Sequence, residues 1–289
     1  MKLKSVLGGL HHGIRSAGCR SLIEFLRTTG VTLFTSPPGG GKTTLLRAFT
    51  PTALRAFWNA RLAPEMSESC QRLLSHGVLH ETDGAQLLGV SLSCASGYAD
   101  LPPGASMAQD GVFRALFDCR VVKALRSLAA LLGRPSTDQL EDVRLQYEAL
   151  GADPKSIAAL ESIAELAKWA EQREQAAYEQ LDLLIGVGAI DLPLHVRFES
   201  ILSLQAVRFN RNGEMLAPRR LLMLDDVQRL RKRQRALLLE EMVELRPTVP
   251  VWVAQRSIAL GNELLSQGAR EGRDLRDVVN YATPDSKDM

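Results

Sequence analysis

The chain has 289 residues, a formal net charge of +2, and 45% hydrophobic and 24% charged residues. That length can bury a sizeable core in one large or two small domains, and the near-neutral charge leaves no basic footprint of the kind a nucleic-acid binder carries in its composition. No apolar run approaches the roughly 20 residues that a membrane helix needs, and the four cysteines, Cys19, Cys70, Cys94 and Cys119, are scattered without metal-ligand spacing, as expected in a reducing cytoplasm.

Residues 1–20 read as an arm rich in Gly and His. Its start has a faint leader-like apolar character, but His11, His12 and Arg15 interrupt it, so no signal peptide is expected. His11-His12 has no neighbouring ligand residues and reads as a surface pair. Ser21 can cap a short helix over 22–27. The β-favouring run Val31-Thr32-Leu33-Phe34-Thr35 then predicts a strand.

That strand leads into Ser36-Pro37-Pro38-Gly39-Gly40-Gly41-Lys42-Thr43-Thr44 and on into the helix-favouring Leu45-Leu46-Arg47-Ala48-Phe49. Strand, Gly-rich loop and helix form the context in which a P-loop works. Gly39, Gly40 and Gly41 have no side chains, so their N–H groups can turn inward on phosphate oxygens, and the helix starting near Lys42 adds its N-terminal partial charge. Lys42 would reach the β- and γ-phosphates of a nucleoside triphosphate, and the Thr43 hydroxyl would hold Mg²⁺. Ser36 stands where the usual pattern has its first glycine.

Residues 50–80 read as mostly helical with a break at Pro64, and 86–93 as a further strand ahead of the turn-rich 97–104. Apolar stripes predict helices over 110–132 (Val112, Leu116, Val122, Leu125, Leu128, Leu132) and 156–184 (Ile157, Leu160, Ile163, Leu166, Ala170, Ala177, Leu181). The separation between the Gly-rich loop and the next nucleotide motif is long. We therefore expect a first core part at 21–104, a helical insertion at 105–190 and a second core part at 191–289; the alternative is that these helices flank the core itself.

At Arg219-Arg220-Leu221-Leu222-Met223-Leu224-Asp225-Asp226-Val227 four apolar residues predict a strand buried on both faces. Its two acids fall at the C-terminal end, where open α/β sheets bind ligands. Asp225 would enter the Mg²⁺ shell, and Asp226 would orient the attacking water. The cluster Arg229, Arg231, Lys232, Arg233 and Arg235 shares a helix with Glu240, Glu241 and Glu244 and reads as a solvated face. A last strand, 250–254, runs into Gln255-Arg256-Ser257, where Arg256 either reaches a γ-phosphate or is a solvated loop residue.

The segments Gly-Gly-Gly-Lys-Thr-Thr-Leu-Leu, Leu-Leu-Met-Leu-Asp-Asp-Val and Val-Trp-Val-Ala-Gln-Arg-Ser together resemble the Walker A, Walker B and sensor-1 segments of AAA+ and STAND ATPases, with the Orc/Cdc6-like and NB-ARC-like branches nearest. The stretch 268–274 is similar to a segment of bacterial ATPases grouped with Orc/Cdc6, and Arg270 or Arg273 could there act as an arginine finger. The resemblance covers the loop region and 219–281 and includes no lid motif. It implies a three-layer αβα P-loop NTPase with a mostly parallel sheet, in which the 221–224 strand lies beside the loop strand or one away. It also implies adenine as the base, ATP and Mg²⁺ as cofactors, and a homo-oligomer, a partner protein or DNA as partner. A Mg²⁺-dependent ATPase, a nucleotide switch with negligible turnover, and a DNA-associated regulator all remain open at this level.

Overall fold

The computed structural model of the protein describes residues 29–36, 41–98, 107–134, 140–147, 160–186, 198–256 and 275–280. Its strands are β1 (Gly30–Ser36), β2 (Leu79–His80), β3 (Gly84–Ala85), β4 (Leu87–Ser93), β5 (Arg144–Tyr147), β6 (Val207–Arg211), β7 (Glu214–Leu216), β8 (Arg219–Asp225), β9 (Pro250–Arg256) and β10 (Leu275–Asn280). Its helices are α1 (Lys42–Ala48), α2 (Pro51–Asn59), α3 (Ser67–Ser75), α4 (Met107–Ala124), α5 (Leu128–Leu132), α6 (Ile163–Gly186), α7 (Glu199–Ala206) and α8 (Lys232–Leu245). Five strands form the central sheet in the order β10-β1-β9-β8-β4, and every pairing in it is parallel. The strand expected at 221–224 is thus one strand away from the loop strand, with β9 between them. The edge strand β10 lies beyond the runs read as strands from the sequence.

The sheet has helices on both faces, and strand alternation divides the core in two. On one face Phe34, Leu221, Met223, Trp252 and Ala254 pack with Leu45 and Leu46 of α1, Leu54 and Phe57 of α2, and Leu73 of α3. Trp252 is central there, edge-on to Phe34 and Phe49 with ring centroids 5.1 Å away in each case. On the other face Leu33, Val90, Leu222, Leu224, Val251 and Val253 meet α4, α6, α7 and α8. The helix α4 falls within the stretch 105–190; it packs against β4, and its Val112, Leu116 and Val122 belong to the same cluster as the sheet residues.

Close approach of layers dictates one glycine. Gly89 of β4 faces the α1 side, and a Cβ there would stand 2.1 Å from the Phe49 carbonyl oxygen and 2.8 Å from Met223 Cε. On the opposite face two buried carboxylates hold the start of α7. Asp118 of α4 accepts the Ser200 N–H at 3.0 Å, the Ser200 hydroxyl, and the Glu199 N–H at 3.2 Å. Glu241 of α8 accepts the Phe198 N–H at 2.8 Å and pairs with Arg114 at 3.1 Å. These bonds satisfy N–H groups that a helix start leaves open. Glu241 is 5% exposed, so it is not the solvated acid that its neighbours Glu240 and Glu244 imply. Its partners, Phe198 and Arg114, are remote in sequence, which is why helix spacing alone misassigns it.

A second, antiparallel sheet joins β5, β6 and β7. Its hairpin turns at Asn212 and Gly213, with φ of 52° and 84°. Two successive positive φ values match the twist of a tight hairpin, and Asn-Gly is the pair that adopts them at least cost. Ion pairs join α4 and the 3₁₀ turn after it to α6: Lys123 and Arg120 meet Glu174, the latter at 3.7 Å, and Arg126 of the turn meets Glu171. Among the described residues no helix is long and apolar enough to cross a membrane.

Candidate functional site

All five central strands run the same way, so their C-terminal ends share one edge of the sheet. Ser36, Ser93, Asp225 and Arg256 close β1, β4, β8 and β9 on that edge. The register pairs Ser36 with Arg256, Thr35 with Gln255, and Ser93 with Asp225. Residues 37–40 lie outside the described residues, so Pro37, Pro38, Gly39 and Gly40 have no place in this geometry. Cys19, the pair His11-His12, Arg270 and Arg273 lie outside them as well.

Chain direction reverses into α1 at Gly41, which has φ 79° and ψ 1°. This left-handed conformation costs glycine nothing and costs other residues a Cβ clash. The Gly41 carbonyl accepts the Leu45 N–H at 2.9 Å and begins the helix. The next residue, Lys42, is buried at 9% exposure, Thr43 is half-buried and Thr44 exposed. A lysine at that depth is unusual, because an ammonium leaves water only toward compensating charge or acceptors.

Asp225 is 8% exposed. One of its oxygens, Oδ1, accepts the Asp226 N–H at 2.9 Å, and its backbone carbonyl accepts the Cys94 N–H at 2.8 Å. Asp226 leaves the strand direction with φ 58° and ψ 35° and starts a single turn of 3₁₀ helix, Val227–Arg229. Aspartate tolerates this region better than most residues. Its Oδ1 accepts a 2.7 Å hydrogen bond from Gln228 Nε2, and its carbonyl accepts the Arg229 N–H. The two acids therefore diverge, the first held at the strand end and the second turned into the following loop. Their negative charge reaches the buried thiol of Cys94, which burial first, and then Asp225 and Asp226, push up to about 12. That thiol is uncharged and unreactive at neutral pH.

In the basic run after Asp226, one side chain is held by an acid from another helix. Arg233 makes a two-pronged pair with Asp110, at 2.6 and 2.8 Å, and the Arg231 N–H is received by Gln234 Oε1 at 3.1 Å at the start of α8. Among the described residues no group of three or more His, Cys, Asp or Glu is placed to hold a metal ion. Oxygen donors among the described residues of this edge include the Thr43 hydroxyl and the Asp225 carboxylate. Hard oxygens suit Mg²⁺, which keeps waters and takes most of its shell from substrate phosphates.

One polar residue of this edge escaped the sequence reading. Gln255 is 1% exposed, and neither atom of its amide has a hydrogen-bond partner among the described residues. The available signal was a polar residue closing an apolar strand, overshadowed by the charged Arg256 beside it. No family model, no curated protein and no solved structure matches the chain.

Proposed function

We propose that the protein binds ATP through a P-loop at residues 36–44 and hydrolyses it with Mg²⁺. One observation carries this reading. A left-handed Gly41 and a buried Lys42 follow β1, and the buried Asp225 ends β8 on the same edge, with only β9 between the two strands.

On this reading Gly41 and the glycines before it let backbone N–H groups face the phosphates, and Lys42 neutralises charge on the β- and γ-phosphates. Thr43 and Asp225 would hold Mg²⁺, which when bound offsets the charge that builds on the outer phosphates. Asp225 is oriented for that by its bond to the Asp226 N–H. Asp226 orients a water whose oxygen attacks the γ-phosphorus. The bond from that phosphorus to the bridging oxygen breaks, giving ADP and inorganic phosphate, and the water's proton passes to the carboxylate or to phosphate. Arg256, in register with Ser36, is the cationic residue at the end of the intervening strand.

A second reading, a nucleotide switch with little turnover, is favoured by the state of Asp226. Its backbone is turned out of the strand, and one carboxylate oxygen already receives Gln228. Phosphate release at saturating ATP separates the two. Calorimetry with ATP tests the reading they share. Lys42→Ala should lose tight binding while remaining folded, and an unchanged affinity would refute the P-loop assignment.

A further inference from the structure

The segment 94–98 leaves β4 beside the paired acids, and one guanidinium holds it. Arg120 of α4 donates from Nη1 to the Ser96 carbonyl at 3.2 Å and from Nη2 to the Gly97 carbonyl at 3.1 Å. Nη2 also donates to the Tyr178 hydroxyl of α6 at 3.2 Å, and Nε lies 3.7 Å from Glu174 on the same helix. The guanidinium carbon stands 4.2 Å from the centre of the Tyr98 ring. Gly97 has φ 80°, and a Cβ there would meet Arg120 Nη2 at 2.3 Å, so the segment is shaped around this side chain. The planar fork of arginine can serve two carbonyls, a hydroxyl and a ring at once, which a compact ammonium cannot.

What the segment holds in turn is the peptide unit that joins Asp225 to Asp226. The carbonyl of that unit accepts the Cys94 N–H at 2.8 Å, and its N–H, on Asp226, donates to Asp225 Oδ1 at 2.9 Å. Both ends of the unit are bonded, and the chain turns away directly after it, at Asp226 with φ 58°. At the other end of the segment the Tyr98 carbonyl accepts Gln234 Nε2 at 3.0 Å. Gln234 lies in the first turn of α8, the helix that follows the Asp226 turn. The segment therefore braces the acids at two places, on Asp225 itself and just beyond the turn. Arg120 and the two carboxylates act in opposite senses on the Cys94 thiol, so its charge also reaches this spot.

We propose that Arg120 is a positioning residue: by fixing segment 94–98 it fixes the peptide unit between the acids and so aims the Asp226 carboxylate at the attacking water. This inference rests on the ATP-hydrolysis reading and adds to it a residue, remote from the nucleotide motifs in sequence, on which turnover depends. The guanidinium is engaged with carbonyls, a hydroxyl and a carboxylate of the fold, so it acts through the acids and not by touching the nucleotide. Through Tyr178 and Glu174 it also ties α6 to the edge where the acids stand.

Phosphate release at saturating ATP and ATP affinity by calorimetry, both on the full chain with Mg²⁺, test it. In Arg120→Met, which keeps most of the stem and loses every donor, release should fall by about 10- to 100-fold, the cost of misplacing a catalytic group by about an ångström. ATP affinity should stay at the wild-type value. Gly97→Ala, whose Cβ displaces the guanidinium, should show the same split and serves if the Met variant does not fold. Arg120→Met added to Asp226→Asn should slow release no further, because effects that pass through one group do not add. An equal slowing in both backgrounds would overturn the proposal, and so would a loss of ATP affinity matching the loss of rate. If Lys42→Ala loses ATP while Arg120→Met and Gly97→Ala release phosphate at the wild-type rate, the role of Arg120 is overturned and the nucleotide site stands. If wild type releases no phosphate, the hydrolysis reading fails and this proposal with it. If neither variant folds, Arg120 serves the fold alone and the proposal falls.

Discussion

At the scale of single residues, Asp118 shows what it takes to hold an acid in the interior of this chain. Its carboxylate accepts the Ser200 N–H at 3.0 Å, the Ser200 hydroxyl and the Glu199 N–H at 3.2 Å. Burial raises its pKa from the ordinary 3.8 to about 7, against the opposing effect of the hydroxyl and N–H bonds from Ser200. An acid whose native value lies above its unfolded value binds its proton more tightly when folded. It therefore contributes stability that is full below about pH 4 and is lost as pH rises through about 7. Asp118→Asn removes that titration. We predict that the stability difference between wild type and Asp118→Asn shrinks from pH 4 to pH 7 and is constant above it, as measured by urea unfolding across that range. Glu199 and Arg173, the charged neighbours of Asp118, are present in both proteins and cancel from the comparison.

The paired acids differ in the same residue-level way. Asp225 is fixed at the strand end, and Asp226 has turned into the loop. Asp225→Asn should weaken the Mg²⁺-dependent part of ATP binding. Asp226→Asn should leave binding near wild type and slow phosphate release by about 10²- to 10⁴-fold, the usual worth of a positioned acid or base. Equal losses of affinity in the two variants would refute this division, and so would an unaltered release rate in Asp226→Asn.

At the scale of elements, the contacts between layers set what each strand can carry. The strand β4 reaches the C-terminal end of α1 so closely that only glycine fits at position 89. The obstacle is the Phe49 carbonyl, a backbone atom that cannot rotate away. Gly89→Ala should destabilise the protein by about 1–3 kcal/mol or more, as overpacking does, read as a lower denaturant midpoint with unchanged slope. The same contact ties β4 to the helix that follows the Gly-rich loop, so a shift of one moves the other. The hold on α7 is built differently, by acids from α4 and α8 that meet its first N–H groups.

Across the whole molecule, the candidate site joins segments more than 180 residues apart, with Lys42 after β1 and Asp225 at the end of β8. On the proposed reading neither segment binds phosphate in the unfolded chain, so a nucleotide that binds would favour the folded state. At an ATP concentration 100 times its dissociation constant the gain is about 2.7 kcal/mol, and the melting temperature should rise by several degrees with Mg²⁺ present. Lys42→Ala should show no such rise. An equal rise in both proteins would place the nucleotide somewhere other than this edge.

Much of this was legible along the chain. Apolar runs at 31–35, 86–93, 221–224 and 250–254 became β1, β4, β8 and β9, because a strand buried on both faces needs an uninterrupted run of apolar residues. The glycine before Lys42 and the acids closing β8 were visible for the same local reason. The β6–β7 hairpin was missed although Asn212-Gly213 announces its turn, and the expected helix over 110–132 divides at a 3₁₀ turn, Leu125–Ser127. Other features had no local signature at all. That β9 lies between β1 and β8, that Glu241 turns inward to Phe198, and that the Gln255 amide is sealed from water depend on contacts between distant segments. The sequence determined which segments form strands and helices and which residues end them, since those depend on neighbours one to four positions away. Which ends meet at one edge, and which polar groups are sealed from water there, only the packing of the sheet decided, because burial is a property of surroundings that the chain brings together when it folds.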